Sequence, residues 1–355
     1  MEEILSIFKN DAFSATTLER VAAKVPYQPQ ALGALNIFDN RPIRTTTVEI
    51  YYDEKTQSLV PTSERGSPEP LPKRDAGKIH LLRTVRLAER DRINAAELQD
   101  VISLPLGSAS QLAAAQREVG ERVTRLRSDN ELTLEHMRLG ALQGKLIDAD
   151  GSVITNYFDE FNIAEPATIN IDFSAIAEAD LVEFFTSNVV RPIMRALGGR
   201  KSNRTYIAAL VGDVFWARLT SHAAVRETFR GTAAMQALMQ NNTGQPGTAM
   251  GNAWGEFRFA GIRFMNYMGT DDGSTVAVAP EMAHFFPVGA QDVFRTFWAP
   301  GESMRDINTR GRMAYVIVQP DPETQKNEWV DVYYRNYPLF ACIYPGALLK
   351  MQTTG

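Results

Sequence analysis

The sequence predicts an α+β fold in which one long helix lies along a body built mostly from strands. A helical apolar pattern runs through 110–142, a buried strand is expected at 206–211, and most segments after residue 255 have strand character. The long helix has a single apolar stripe and a charged back. This pattern favours a helix laid along one side of a sheet over a helix in the middle of a bundle.

Composition describes a chain that can build a sizeable core. Its 355 residues suit one large or two medium domains. Hydrophobic residues make up 44% and charged residues 22%, so the chain is not of the intrinsically disordered class. The formal net charge is −5, and the sequence lacks the basic excess that proteins gripping nucleic acid usually show.

Cysteine content and targeting signals indicate where the protein works. Cys342 is the single cysteine, which rules out an internal disulfide and fits a reducing compartment. The first residues are acidic and lack the basic and apolar regions of a signal peptide. No apolar run approaches the ~20 residues of a membrane span. We expect a soluble protein, made and used in the cytosol or released by a route other than secretion.

Residues 1–42 predict an extended arm. One short helix is expected at 14–23, and the irregular run after it contains Pro26, Pro29 and Gly33. Proline and glycine at this density interrupt regular structure. Such an arm is able to lie along its own domain or along a neighbour.

The next stretch predicts a long two-stranded ribbon. Segments 45–52 and 78–87 have strand composition, and the connection 53–77 is rich in proline and charge. A connection of this length is uncommon inside a compact domain and is usually functional. Because a lone hairpin is marginal in water, a ribbon projecting from the body needs another surface, which could belong to a second subunit. An ordinary surface hairpin is the alternative.

The helix at 110–142, called the spine helix below, is the longest predicted element. Ser110 is the expected N-cap and Gly144 the expected stop, and a shorter helix is expected before it at 91–102. The apolar stripe, with steps of three and four residues, consists of Leu112, Ala115, Val119, Val123, Leu126, Leu134, Met137 and Ala141. The opposite face carries Arg117, Glu121, Arg125, Arg127, Asp129, Glu131 and Arg138.

After the spine helix the sequence predicts a hairpin and then mixed helices and strands. The hairpin turns at Asp150-Gly151, a strong turn pair. A helix at 176–197 is kinked by Pro192. Asp213 is expected to cap the helix that follows the strand at 206–211. Further expectations are a short helix at 223–229, a loop at 231–252 and strands at 255–268, 275–279, 314–319, 329–335 and up to Met351.

Residues that commonly carry catalysis form no recognisable constellation. The histidines lie far apart and match no metal or nucleophile motif; they are His80, His136, His222 and His284. His222 near Asp213 is better explained as a helix-end histidine than as half of an acid–base pair. His284 and Cys342 sit among apolar residues and are expected in the core. We therefore predict no catalytic site, no metal and no cofactor, and a structural or binding role.

Five stretches of the second half occur in an order that is typical of one protein family. They are ALVGDVFWARLTSHAAVRETF at 209–229, FRFAGIRFMNYMG at 257–269, AHFFPVGAQDVFRTFWAPGE at 283–302, MRDINTRGRMAY at 304–315 and RNYPLFACIYPGALLKM at 335–351. Together they resemble the major capsid protein E family of tailed bacteriophages, the lambda-like major capsid proteins. The first half is similar by layout more than by letters, and the arm is the least similar part.

The resemblance implies the Hong Kong 97-type phage capsid fold. On that fold, 1–42 is an N-terminal arm and 43–88 is an extended loop over the adjacent subunit. A peripheral domain, formed by 89–171 and 331–355, contains the spine helix. Residues 172–330 form an axial domain that converges on hexamer and pentamer centres, and the last strand returns to the peripheral sheet.

The resemblance also implies a function and partners. It indicates a major capsid protein, not an enzyme, whose hexamers and pentamers form the icosahedral head around packaged double-stranded DNA. Expected partners are other copies of the chain, a decoration protein, a scaffold and a portal. DNA is enclosed without sequence-specific binding, and no membrane is involved. The protein is expected in the virion shell, and in the host cytoplasm during assembly.

Charged residues of the extended loop are the expected contacts between subunits. The candidates are Arg44, Glu64, Arg65, Lys73, Arg74, Arg83 and Arg86. Exposed ion pairs contribute only ~0–1 kcal/mol each, so apolar burial and the loop itself should stabilise a shell. Two alternatives remain open at this point: an encapsulin-like compartment that holds protein cargo, and a soluble enzyme of unknown chemistry.

Overall fold

The strands form five separate sheets around one long helix. The computed structural model describes residues 31–52, 78–97, 108–228, 255–267, 276–320 and 328–354. Strands β1 to β16 are Asp39–Pro42, Thr47–Tyr52, Lys78–Arg83, Leu87–Asn94, Lys145–Ile147, Val153–Asn156, Ile169–Ile171, Tyr206–Val211, Glu256–Phe259, Ile262–Asn266, Met282–Val288, Phe294–Trp298, Tyr315–Pro320, Trp329–Asn336, Pro338–Cys342 and Leu349–Thr353. The α-helices are Ala31–Ala34, Ser108–Leu142, Tyr157–Glu160, Leu181–Phe185, Arg191–Leu197, Asp213–Ser221 and Ala223–Thr228.

A six-stranded sheet is the largest of the five. Its order is β7-β16-β11-β8-β10-β9. The central strand β8 pairs with β10 on one edge and β11 on the other. Its residues from Ile207 to Val211 are buried, which explains why the strand is apolar along its length. Ala209 of β8 lies opposite Phe264 on one side and Phe285 on the other, so a small residue makes room for two rings.

The other sheets are smaller, and strands of three of them, β4, β5, β14 and β15, contact the spine helix. Two of them have three strands, in the orders β1-β12-β15 and β13-β14-β4, and two are the hairpins β2-β3 and β5-β6. The strands β14, β15 and β16 of segment 331–355 thus lie in three different sheets. Of these, β14 joins β4 and β13, whereas β16 extends the six-stranded sheet.

The spine helix confirms the predicted stripe and end, whereas Arg138, predicted on the charged face, is buried beside Glu135. Ser108–Leu142 begins two residues before Ser110, which therefore lies inside the first turn and is not the N-cap. Val119, Val123, Leu126, Leu134, Met137 and Ala141 are buried as predicted, while the side chains of Leu112 and Ala115 lie outside the described part. Gly144 has φ +81°, and a Cβ there would collide with the Phe158 ring, so glycine is required at this stop.

Several other predictions need correction. Residues 91–94, predicted as helix, continue strand β4, because all of Leu87–Asn94 pairs with β14. The helix predicted at 176–197 begins at Leu181, and a π-helical turn at Thr186–Val190 precedes Pro192. Such a turn is one way to accommodate the missing proline N–H.

Strand pairing and helix ends differ from the sequence predictions in several smaller features. Asp213 is the first helical residue and makes no cap bond; Gly212 precedes it. Residues 276–279 form no strand, whereas β11 and β12, which were not predicted separately, pair with β8 and β15. The hairpins around Asp150-Gly151 and in 255–268 are confirmed. The helix predicted at 14–23 and the loop at 231–252 lie outside the described residues.

Candidate intersubunit surface

The ribbon formed by β2 and β3 has two unlike faces. Successive side chains of a strand point to opposite sides. Val48, Ile50 and Leu82 point inward and are buried in the main core. The large apolar side chains that point outward are exposed by 59%, 65% and 65%; they are Tyr51, Ile79 and Leu81.

An aromatic cluster fastens the inner face of the ribbon to the body. The Tyr52 ring lies 5.2 Å from the rings of Phe161 and Tyr344, and the His80 ring lies 4.9 Å from Phe161. His80 Nδ1 is also 3.5 Å from Glu160 Oε1. The described strands of the ribbon therefore rest on their own chain. These strands agree with the alternative of a surface hairpin, because the inner alternation supplies a packing face, and the connection 53–77 lies outside the described residues.

The outer face of the ribbon forms an apolar strip. Tyr51 pairs with Ile79 across the two strands, and Glu49 pairs with Leu81, so three large side chains stand close together. Contiguous exposed apolar surface is typical of interaction sites, so this face is a candidate contact surface.

The predicted contact charges fall into two groups. Arg44, Arg83 and Arg86 are exposed at the base of the ribbon. Arg86 Nε lies 2.7 Å from Glu302 Oε1, so this arginine already pairs within its own chain. The remaining candidates, Glu64, Arg65, Lys73 and Arg74, lie outside the described residues.

The base of the ribbon adjoins a loop, 301–313, that the sequence reasoning missed as a surface. The Gly311 N–H donates to the Ile43 carbonyl at 2.8 Å, next to Arg44, and the Arg86–Glu302 pair adds a second tie. Gly311 is required because a Cβ would collide with the Trp298 carbonyl. The signal in the sequence was a run of arginines between methionines, SMRDINTRGRM.

The loop presents arginines and large apolar groups together. Met304, Ile307 and Met313 are exposed by 88%, 68% and 56%, and the exposed arginines among them are Arg305, Arg310 and Arg312. Asp306 is buried beneath them, with its Oδ1 3.4 Å from Arg312 Nη2 and its Oδ2 3.8 Å from Arg305 Nε. The buried carboxylate thus holds the loop in shape and partly neutralises two of the arginines.

Comparison with known proteins identifies the family. A model described as phage major capsid protein E matches residues 14–353. The chain belongs to the phage major capsid protein E family. The α+β phage capsid fold of Hong Kong 97 type and the family membership predicted above are both confirmed.

Individual proteins that are similar to this chain agree with this assignment. The chain is 23% identical over 376 residues to the major capsid protein of Salmonella phage Felix O1 (isolate Felix O1-VT1), covering 98% of each chain. It is 26% identical over 161 residues to the major capsid protein of Pseudomonas phage KPP10, covering 42% of this chain and 44% of that protein. The putative capsid protein of a prophage of E. coli CFT073 has a similar fold, with TM-score 0.56 and 14% identity over 96% of this chain and 99% of that one.

The family assigns a structural role. The chain is a phage major capsid protein, which associates with copies of itself into the virion shell. In the part of the chain that the structure describes, no helix is long and apolar enough to cross a membrane.

The residues weighed for catalysis have structural surroundings in this capsid protein. His222 Nδ1 accepts from the Ala224 N–H at 3.2 Å, and its Nε2 lies 3.3 Å from the Ile176 carbonyl, so the ring bridges backbone groups. Burial, helped by Lys350, lowers the pKa of His284 to about 4, which keeps the ring neutral. Burial raises the pKa of the Cys342 thiol, which is unsuited to act as a nucleophile.

Proposed function

We propose that the chain forms hexamers and pentamers of an icosahedral head in which the ribbon of each subunit lies across its neighbour. The observation that carries this proposal is the exposed apolar strip of Tyr51, Ile79 and Leu81 on the outer face of β2 and β3. Its inner face already rests on its own body, and Ile79 and Leu81 are each 65% exposed, which supports a neighbouring subunit as the partner of the outer face. Contact between different patches of identical chains closes a ring when the rotation between neighbours divides a full turn evenly.

The proposed head encloses packaged double-stranded DNA of a tailed phage. The net charge of −5 supports a container that does not grip every phosphate, because tight contact would hinder movement of the DNA during packaging. We propose a scaffold, a decoration protein and a portal as further partners, and assembly in the host cytoplasm. The charges at Arg44, Glu64, Arg65, Lys73, Arg74, Arg83 and Arg86 are proposed contacts between subunits.

The proposed domains follow the family layout. The arm is 1–42, the extended loop 43–88, the peripheral domain 89–171 with 331–355, and the axial domain 172–330. Support for the peripheral domain comes from β4 and β14, which pair with each other beneath the spine helix. We add β13 to its sheet, because β13 pairs along the whole of Tyr315–Pro320 with β14.

The ribbon hypothesis can be tested on two described side chains. The double variant Ile79→Ser and Leu81→Ser should keep a folded subunit, because both side chains are exposed. It should form about tenfold fewer shells if they anchor an interface. Circular dichroism would measure folding, and sedimentation with negative-stain electron microscopy would count shells.

A matched control distinguishes the ribbon from general loss of surface hydrophobicity. Val153→Ser with Ile154→Ser removes two exposed apolar groups from the β5–β6 hairpin. This control should assemble normally. Normal numbers of shells from the variant Ile79→Ser with Leu81→Ser would contradict the proposal.

A further inference from the structure

We propose that loop 301–313 of one subunit docks on segment 178–183 of the next copy in the same ring. This inference rests on the proposed function and names one pair of surfaces that would join neighbouring subunits. The two surfaces are called the basic loop and the acidic segment below.

The composition of the basic loop points to a protein partner. Met304 and Ile307 are two of the most exposed large apolar side chains in the described part of the chain. Methionine and arginine are both enriched at protein interfaces. Duplex DNA offers mainly phosphate to such a surface, and its complexes are more polar than this mixture.

The charge of the basic loop calls for an acidic partner. Arg305, Arg310 and Arg312 stand in the loop, and the two arginines beside it, Arg44 and Arg86, raise the local total to five. Among the described residues, the carboxylates paired with these arginines are Glu302 and Asp306. A local excess of three positive charges on a chain of net charge −5 favours contact with an acidic surface of another copy.

The acidic segment fits that requirement. Glu178, Asp180 and Glu183 are exposed, and Val182 between them is 45% exposed. Asp180 precedes the helix at Leu181–Phe185 but makes no side-chain cap bond. The segment therefore offers three carboxylates around one apolar side chain, which matches arginines around methionine and isoleucine.

Several other exposed carboxylates are already occupied in their own chain. Asp150 accepts from the Ser152 N–H at 2.8 Å, and Asp159 accepts from the Asn156 amide at 2.6 Å. Glu165 lies between Lys145 and Lys350, at 3.2 and 2.7 Å. Within the described ranges, Glu178 and Glu183 have no such hydrogen bond or ion pair.

The two surfaces belong to different parts of the fold. The basic loop joins β12 to β13, beside the sheet β1-β12-β15. The acidic segment leads into a helix whose Phe185 packs at 5.4 Å from Phe264 of the six-stranded sheet. A contact between two unlike patches is heterologous, and it closes a ring when repeated around an axis.

A disulfide between the two surfaces tests the contact directly. Arg310→Cys combined with Asp180→Cys places a thiol on each, and the only native cysteine, Cys342, is fully buried. Oxidised shells of the double variant should give a ladder of linked subunits on a denaturing gel. The control Arg117→Cys with Asp180→Cys should stay monomeric, because Arg117 lies on the exposed face of the spine helix. Assembled double-variant shells that run as monomers would overturn the docking proposal.

Charge reversal provides a second, independent test. Arg305→Glu with Arg310→Glu should lower incorporation into shells by about tenfold, and adding Glu178→Arg with Glu183→Arg should restore most of it. The control Arg117→Glu with Arg125→Glu makes the same change of charge elsewhere. An equal loss in the control, or no restoration, would count against the docking.

The two proposals fail in different ways. Wild-type protein that never forms rings or shells with its phage's other head proteins would contradict the proposed function. If the wild type forms normal shells, but the cysteine variant stays unlinked and the charge-reversal variants assemble like the wild type, the docking alone is contradicted.

Discussion

The two halves of the spine helix pack into cores of different size. Its first half, through Val119, Val123 and Leu126, covers the sheet β13-β14-β4 in a cluster of eight buried residues. Its second half, from Leu134 onward, joins the main core, which continues into the six-stranded sheet. One helix therefore connects a thin two-layer region to the thick body of the molecule.

A buried polar pair marks the change from one core to the other. Asn130 interrupts the apolar stripe, and the Asn336 side-chain amide donates to its Oδ1. Both residues are buried. A regular apolar stripe on one helix can therefore pack into two cores of unequal stability, because local stability follows the amount of apolar burial around each segment.

The largest expected effect comes from the main-core half. Glu135 is buried, accepts from the N–H groups of Leu32 and Gly33 at 2.7 and 3.2 Å, and lies 3.2 Å from Arg138 Nη1. Glu135→Ala should lower the free energy of unfolding by about 3–5 kcal/mol, because it leaves these partners buried and unpaired. Urea denaturation of the unassembled subunit would measure the loss.

A matched charge on the first half provides the contrast. Arg122 contacts Asp91, Glu97 and Glu118 at 3.2, 2.9 and 3.1 Å but is partly exposed. Arg122→Ala should cost only about 1 kcal/mol, since solvent screens exposed pairs. Equal losses in the two variants would show that the halves do not differ in this respect.

Two leucines on the same stripe test the cores themselves. Leu134→Ala should cost about 3 kcal/mol of global stability. Leu126→Ala should cost less and act locally, because its cluster is smaller. Hydrogen exchange would show lost protection in β13 and β14 for Leu126→Ala and throughout the main core for Leu134→Ala. Loss of protection throughout the molecule in both variants would show that the two cores unfold as one cooperative unit.

The polar pair can be removed in a double-mutant cycle. Asn130→Leu or Asn336→Leu alone should cost about 1–3 kcal/mol, because each leaves a buried amide without its partner. The double variant should recover most of this lost stability, because leucine at both positions makes the apolar packing between the two cores continuous. Additive losses in thermal unfolding would mean that the pair is not coupled.

The smallest expected effect is a pH dependence from His284 on β11, in the six-stranded sheet into which the main core continues. Because burial lowers the pKa of His284 to about 4, the unfolded state binds the proton more tightly, and stability falls as the pH drops below about 6.5. Between pH 7 and 5.5 the wild type should lose about 1 kcal/mol more than His284→Gln, which cannot titrate. Denaturation at both pH values measures the difference, and identical profiles would contradict it.

The sequence alone determined the features that depend on local spacing and on family motifs. The stripe of the spine helix, the stop at Gly144 and the turn at Asp150-Gly151 follow from helical period and from backbone conformations that favour glycine. The ordered motifs of the second half were sufficient for the capsid family, which the match over 14–353 confirms.

Only the tertiary structure decided which distant segments meet. Residues 91–94 are strand because β14, more than two hundred residues away, supplies their hydrogen-bond partners. Arg44 and Arg86 join the arginines of 301–313 because Ile43 and Glu302 tie the segments together. Periodicity reports which face of an element is apolar, but the identity of the surface that covers the face depends on contacts between parts of the chain that no local pattern records.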